Sequence, residues 1–131
     1  MAIEAISIYL GSKCNLNCAY CHREADANET GVTDKLLRLL DEKRPESIRF
    51  IGGEPTLYMD DIKKVVEHCP WAKFRVTTNG ILLADNIEYF RKHNFKIIVS
   101  FDGQLGENPR GFDPLEEVID YPDMGISTTI C

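Results

Sequence analysis

The sequence lacks several features that would assign it to a class directly. It has no run approaching the ~20 apolar residues that span a membrane, and its N-terminus has no basic segment followed by a long apolar core, as an export signal would have. It also lacks low-complexity linkers and repeats. These absences argue against a membrane protein, a secreted protein and a repeat array. We expect one soluble domain, residues 1–131, in the cytoplasm.

Positively charged residues are fewer than negatively charged ones. The 131 residues contain 15 lysines and arginines against 21 aspartates and glutamates, which gives a formal net charge of −6. This balance argues against a broad nucleic-acid interface, although it leaves room for a local basic site. Hydrophobic residues make up 44% of the chain, which is enough for one core.

Cysteine is scarce but strongly clustered. Three of the five cysteines, Cys14, Cys18 and Cys21, follow an apolar, strand-like run in the frame Cys-x-x-x-Cys-x-x-Cys. Three thiolates on one short loop can bind three irons of a 4Fe–4S cubane and leave the fourth iron without a protein ligand. A disulfide framework fits less well, because the number of cysteines is odd and no export signal is present.

Two other metal centres fit the same residues. The segment from Cys18 to His22 has the short pattern of c-type haem attachment, but that attachment normally follows export. The three cysteines and His22 could also bind zinc, although Cys21 and His22 are adjacent and structural zinc sites usually take a second ligand pair from further along the chain. A cluster therefore agrees better with the whole sequence than haem or zinc does.

Apolar runs rich in β-branched residues alternate with helical patterns along the chain. The runs predict five strands, at residues 3–10, 48–51, 74–77, 97–101 and 126–130. The helical patterns cover residues 34–41, 60–69, 85–94 and 114–120. This alternation predicts an α/β fold in which right-handed βαβ units build a mainly parallel sheet, as in a partial barrel.

Polar and glycine-rich turns follow the predicted strands. Gly52-Gly53-Glu54-Pro55 follows the second strand, Thr78-Asn79-Gly80 the third, and Ser100-Phe101-Asp102-Gly103 the fourth. Functional loops of parallel sheets lie at the carboxyl ends of the strands. The cysteine loop and these turns should therefore meet at one edge.

With the cysteine loop, whose aromatic residue is Tyr20, and the Gly-Gly-Glu-Pro turn, the chain resembles the radical S-adenosylmethionine (SAM) enzymes. The later turns are most similar to the peptide- and protein-modifying branch, which includes sulfatase maturases and other SPASM-type enzymes. The family's barrel generally continues with a sixth βα unit, so we expect an incomplete barrel here. A partner or a second copy would cover the exposed edge of the fifth strand.

The resemblance implies roles for individual residues. Cys14, Cys18 and Cys21 would bind a 4Fe–4S cluster, SAM would chelate its fourth iron, and Tyr20 would pack beside the adenine. The turn formed by Gly52, Gly53, Glu54 and Pro55 would approach SAM closely and receive its ammonium group. Thr78, Asn79, Ser100 and Asp102 would bind the ribose or the carboxylate of SAM, although each could equally cap a turn.

The implied activity is that of an oxidoreductase. Reductive cleavage of SAM would give methionine and a 5′-deoxyadenosyl radical, which would abstract hydrogen from a peptide or protein side chain. A reductant protein such as a flavodoxin or ferredoxin would supply the electron. The alternatives are an enzyme that acts on a nucleotide or another small molecule, and a non-catalytic scaffold that holds a cluster.

Overall fold

The computed structural model describes residues 3–11, 31–100, 121 and 124–127. Their elements are β1 (Ala5–Tyr9), α1 (Asp34–Lys43), β2 (Ser47–Ile51), a 3₁₀ turn (Pro55–Tyr58), α2 (Met59–His68), β3 (Lys73–Thr78), α3 (Leu83–Lys92), β4 (Lys96–Ser100) and β5 (Met124–Ser127). The strands form one sheet in the order β1-β2-β3-β4-β5, and every neighbouring pair is parallel. The predicted α/β fold is confirmed.

The observed boundaries follow local sequence signals closely. Helix α1 begins at Asp34 as predicted, because the Thr33 hydroxyl accepts a hydrogen bond from the Leu36 amide at 3.2 Å and caps the first turn. Strand β5 begins at Met124, two residues before the predicted start. The predicted helix at residues 114–120 lies outside the described residues.

The core lies between one face of the sheet and the three α-helices. Alternate strand residues such as Ile48, Phe50 and Val76 are fully buried, and they belong to one apolar cluster with residues of α1, α2 and α3. Right-handed crossovers between successive neighbouring strands place their helices on the same side of a sheet. The opposite face of the sheet therefore carries no α-helix among the described elements.

Stacked aromatic rings fill the centre of this core. The rings of Phe50, Phe74 and Phe95 stack on one another with centroids 5.3–6.2 Å apart. The Tyr121 hydroxyl donates hydrogen bonds to the carbonyls of Phe90 and Phe95, at 3.1 and 2.5 Å. These bonds hold Tyr121, three residues before β5, against α3 and the residue that precedes β4. Within the described ranges, no helix is long and apolar enough to cross a membrane.

A buried thiol lies at the end of α2. Cys69 is completely shielded from solvent, and its pKa is raised from 9.0 to about 11, chiefly by burial and secondly by the negative charge of Asp41. The Arg44 guanidinium has the opposite, smaller effect. The thiol is therefore a neutral part of the core at physiological pH.

This shift predicts a loss of stability at high pH. The unfolded chain releases the Cys69 proton at lower pH than the folded chain, so the contribution is intact below pH 9 and falls as the pH rises to 11. Its size is at most about 3 kcal/mol, since one pKa unit is worth roughly 1.4 kcal/mol. The measurement is urea unfolding of wild type and Cys69→Ala at pH 8 to 11. The stability difference between the two proteins should shrink across that interval, and a constant difference would contradict the assignment.

Candidate cofactor site

The ends of β1 and β2 stay paired beyond the strands themselves. The Leu10 amide donates to the Ile51 carbonyl at 2.9 Å, and the Gly53 amide donates to the Gly11 carbonyl at 2.8 Å. The second bond fastens the last described residue before the cysteine segment to the glycine turn that follows β2. Gly11 is therefore held at the carboxyl edge of the sheet.

Two glycines permit this close approach. A Cβ atom at Gly52 would lie 2.8 Å from the Gly11 carbonyl oxygen, and one at Gly11 would lie 2.6 Å from Cζ of Tyr58. Neither distance is compatible with an ordinary side chain in the same backbone position. Both glycines thus serve packing within the chain, in addition to any approach to a ligand that the sequence predicts for Gly52.

Glu54 is the most heavily hydrogen-bonded side chain at this edge, and only 1% of it is exposed. Its Oε1 accepts hydrogen bonds from the Thr56 amide at 3.1 Å, the Thr56 hydroxyl at 2.7 Å and the Thr78 hydroxyl at 2.6 Å. Its Oε2 accepts one from the Asn79 amide at 2.7 Å. The carboxylate therefore joins the turn after β2 to the end of β3.

Thr78 and Asn79 also shape the turn after β3. The Thr78 hydroxyl accepts from the Gly80 amide, and the Asn79 side-chain oxygen accepts from the Ile81 amide, both at 3.0 Å. Such bonds two residues along the chain are typical of turns stabilised by serine, threonine and asparagine. Both residues are nearly inaccessible, with 1% and 6% of their surface exposed.

The structure brings together most of the described residues that the sequence selected. Glu54 is hydrogen-bonded to Thr78 and Asn79, and Gly52, Gly53 and Pro55 belong to the same turn. Ser100 is the last residue of β4 and lies one residue beyond the Thr78–Val99 register pair, at the same edge. The remaining candidates, Cys14, Cys18, Tyr20, Cys21 and Asp102, lie outside the described residues, and their roles stay predictions.

Three residues of the edge did not emerge from sequence reasoning. Gly11, Thr56 and Tyr58 supply a carbonyl, two hydrogen-bond donors and a packed ring respectively. Thr56 could have been noticed as a hydroxyl two residues after Glu54, a spacing suited to local capping. The contact between Gly11 and Tyr58 had no local signal, because it joins residues that are distant in sequence.

The cysteine loop directly follows this edge in the sequence, since Cys14 comes three residues after Gly11. Among the described residues, no group of three or more histidine, cysteine, aspartate or glutamate side chains could hold a metal ion. The three loop cysteines therefore remain the candidate ligands, and their thiolates are the usual donors to a 4Fe–4S cluster.

Comparison with known proteins places these features in context. The sequence profile of the Radical SAM superfamily matches residues 8–118. A "Probable GTP 3′,8-cyclase" of Methanothermobacter thermautotrophicus is 36% identical over 137 residues, which cover 98% of this chain and 44% of the relative. The "GTP 3′,8-cyclase" of Clostridium perfringens is 33% identical over 112 residues, which cover 76% of this chain and 35% of the relative.

A further relative is named for a different reaction. The "Radical SAM cyclopropyl synthase TigE" of Paramaledivibacter caminithermalis is 27% identical over 128 residues, which cover 76% of this chain and 27% of the relative. The chain thus spans less than half the length of these three relatives. Their names do not single out the sulfatase-maturase branch that the later turns suggested.

The profile match extends from β1 through β4 and so includes the cysteine loop and every turn of the edge. The chain therefore belongs to the radical SAM superfamily, whose members are enzymes that use a 4Fe–4S cluster and S-adenosylmethionine.

Proposed function

We propose that this chain forms the cofactor-binding core of an enzyme that cleaves SAM reductively, with the cluster held by Cys14, Cys18 and Cys21. The observation that carries the proposal is the hydrogen-bonded edge, where Glu54 joins two turns and the Gly53 amide donates to the Gly11 carbonyl. When bound, the cluster supplies the electron that splits SAM into methionine and a 5′-deoxyadenosyl radical.

Within this proposal, Glu54 is a positioning residue. Its carboxylate accepts four hydrogen bonds inside the chain, and the Glu54 carbonyl accepts another from Leu57. We therefore assign the SAM ammonium group to the backbone carbonyls of Gly52 and Gly53. Glu54 would keep the turn rigid, so that these carbonyls need not reorganise when SAM binds.

The substrate requires a separate argument. The sequence favours a peptide or protein side chain, partly because of the Thr78-Asn79-Gly80 turn. In the structure Thr78 and Asn79 bind Glu54 and cap their own turn, roles that do not depend on the substrate. Two of the relatives described above are named as GTP cyclases. We therefore propose a nucleotide or related small molecule as the substrate class, with the peptide side chain as the alternative.

The partners of the core belong to the same proposal. Reduction of the cluster requires an electron donor, and a flavodoxin- or ferredoxin-like protein would fill that role. Strand β5 ends the order of the described sheet. A second copy, a partner or a further βα unit would pair with that edge.

The first prediction from this proposal concerns the cluster ligands. After anaerobic reconstitution, the protein should contain a 4Fe–4S cluster whose visible absorption bleaches on reduction. Cys14→Ala, Cys18→Ala and Cys21→Ala should each lose it, because each removes a thiolate ligand. Iron, sulfide and visible spectra are the measurements, and Cys69→Ala is the matched control that should keep the cluster. Stoichiometric zinc without iron would instead support the zinc site.

The second prediction concerns the reaction. With dithionite as reductant, the reconstituted protein should convert SAM into methionine and 5′-deoxyadenosine, whereas the Cys18→Ala variant should not. Chromatography of the products measures both. If the wild type holds its cluster and binds SAM but yields no 5′-deoxyadenosine, the scaffold alternative is correct.

The third prediction tests the positioning role of Glu54. In Glu54→Gln an amide nitrogen replaces one carboxylate oxygen and faces a donor, so at least one buried hydrogen bond is lost at a cost of about 1–3 kcal/mol. SAM affinity, measured by equilibrium dialysis on reconstituted protein, should fall at least tenfold while the iron content is unchanged. The control is Glu88→Gln, whose side chain is 85% exposed. Equal SAM affinity in both variants would remove Glu54 from the site.

A further inference from the structure

An acid of α2 contacts the backbone that follows the cysteine segment, residues 12–30. The Val32 amide donates a hydrogen bond to Oδ1 of Asp61 at 3.3 Å, across 29 residues of sequence. Gly31 has a φ of +64°, and a Cβ atom built on it would lie 3.4 Å from Oδ2 of the same carboxylate. Val32 also packs against the apolar core. The Asp61 carboxylate therefore lies against the first residues of the chain after the cysteine segment.

This contact distinguishes Asp61 from the acid beside it. Asp60 and Asp61 both lie in the first turn of α2, where a negative charge interacts favourably with the helix dipole. Asp60 is exposed, whereas only 20% of the Asp61 side chain is. The Lys64 ammonium lies 3.9 Å from Asp61 Oδ1 on a side chain that is 61% exposed, so this ion pair contributes little. The bond to Val32 is therefore the main contact through which Asp61 acts beyond its own helix.

One short stretch of chain holds the residues on both sides of the cysteine segment. The Gly53 amide donates to the Gly11 carbonyl on the side before the segment, and Asp61 accepts from Val32 on the side after it. Between Gly53 and Asp61 lie Glu54, the 3₁₀ turn and the start of α2. The turn assigned to SAM and both flanks of the cysteine segment are therefore fastened to the same part of the fold.

Fixed flanks favour a metal centre on a loop. Binding a cluster requires the thiolates to be brought together, and the entropy cost is lower when the ends of the loop are already held. We propose that Asp61 is a positioning residue for the cluster, because its bond to Val32 holds the later flank of the segment and so slows loss of the cluster. This inference rests on the proposed function, since it concerns the cluster assigned to Cys14, Cys18 and Cys21.

The test measures how fast the reconstituted protein loses its cluster to an excess of an iron chelator, followed by visible absorption. Asp61→Ala should speed the loss about fivefold, the change expected from one lost hydrogen bond of ordinary strength. Asp61→Asn keeps an oxygen acceptor for the Val32 amide, although a neutral one, so its rate should stay within about twofold of the wild type. The matched control is Asp60→Ala, which removes the same charge from an exposed position in the same helical turn and should leave the rate unchanged.

A second control separates positioning from general stability. Cys69→Ala removes a buried side chain from the core, so it should lower the free energy of unfolding without changing the rate of cluster loss. Equal rates in Asp61→Ala and the wild type would overturn the inference. An equal acceleration in Asp60→Ala or Cys69→Ala would also overturn it, as would a rate in Asp61→Asn as fast as in Asp61→Ala. Circular dichroism confirms that each variant is folded.

Cleavage of SAM by dithionite-reduced samples of the same preparations tests the proposed function separately. If the wild type holds its cluster without cleaving SAM, and Asp61→Ala still loses the cluster faster, the proposed function alone is refuted. If the wild type cleaves SAM, and Asp61→Ala loses the cluster no faster than the wild type, this inference alone is refuted.

Discussion

The buried carboxylate of Glu54 is the interaction on which the cofactor edge depends. An ionised carboxylate is costly to remove from water unless hydrogen bonds replace its hydration. Here Thr56, Thr78 and the Asn79 amide supply that replacement with short bonds of 2.6–3.1 Å. Bonds to a charged acceptor are about twice as strong as neutral ones. The same bonds that stabilise the charge therefore hold the turn after β2 against the end of β3.

That geometry depends in turn on the sheet register and the core below it. Phe50 pairs with Val76, so Thr78 at the end of β3 and Glu54 in the turn after β2 lie at the same edge of the sheet. The pair is completely buried, and Phe50 stacks on Phe74 and Phe95. A slip of one residue would turn these side chains away from the helices. The apolar face therefore sets the register, and the register brings the polar groups of the edge within hydrogen-bonding distance.

The sequence predicted the elements well because their signals are local. Apolar runs rich in β-branched residues predicted the strands, and a helical pattern that begins at residue 34 predicted the start of α1. The predicted start of β5, at residue 126, was two residues too late. Gly125, which pairs with Ile98, has no side chain to continue the apolar pattern. The partners of Glu54 were not predictable in this way, since Thr78 and Asn79 follow it by 24 and 25 residues. The sequence identified all three residues as polar groups near a ligand, but only the folded chain shows that they bind one another.

The two faces of the sheet have different surroundings. The helices α1, α2 and α3 cover one face and pack with it into the apolar core, whereas none of the α-helices in the described ranges lies on the other face. The parallel register that buries Phe50 and Val76 also brings the end of β3 beside the turn after β2. The same strands that build the core therefore fix the positions of the groups that Glu54 joins at the cofactor edge.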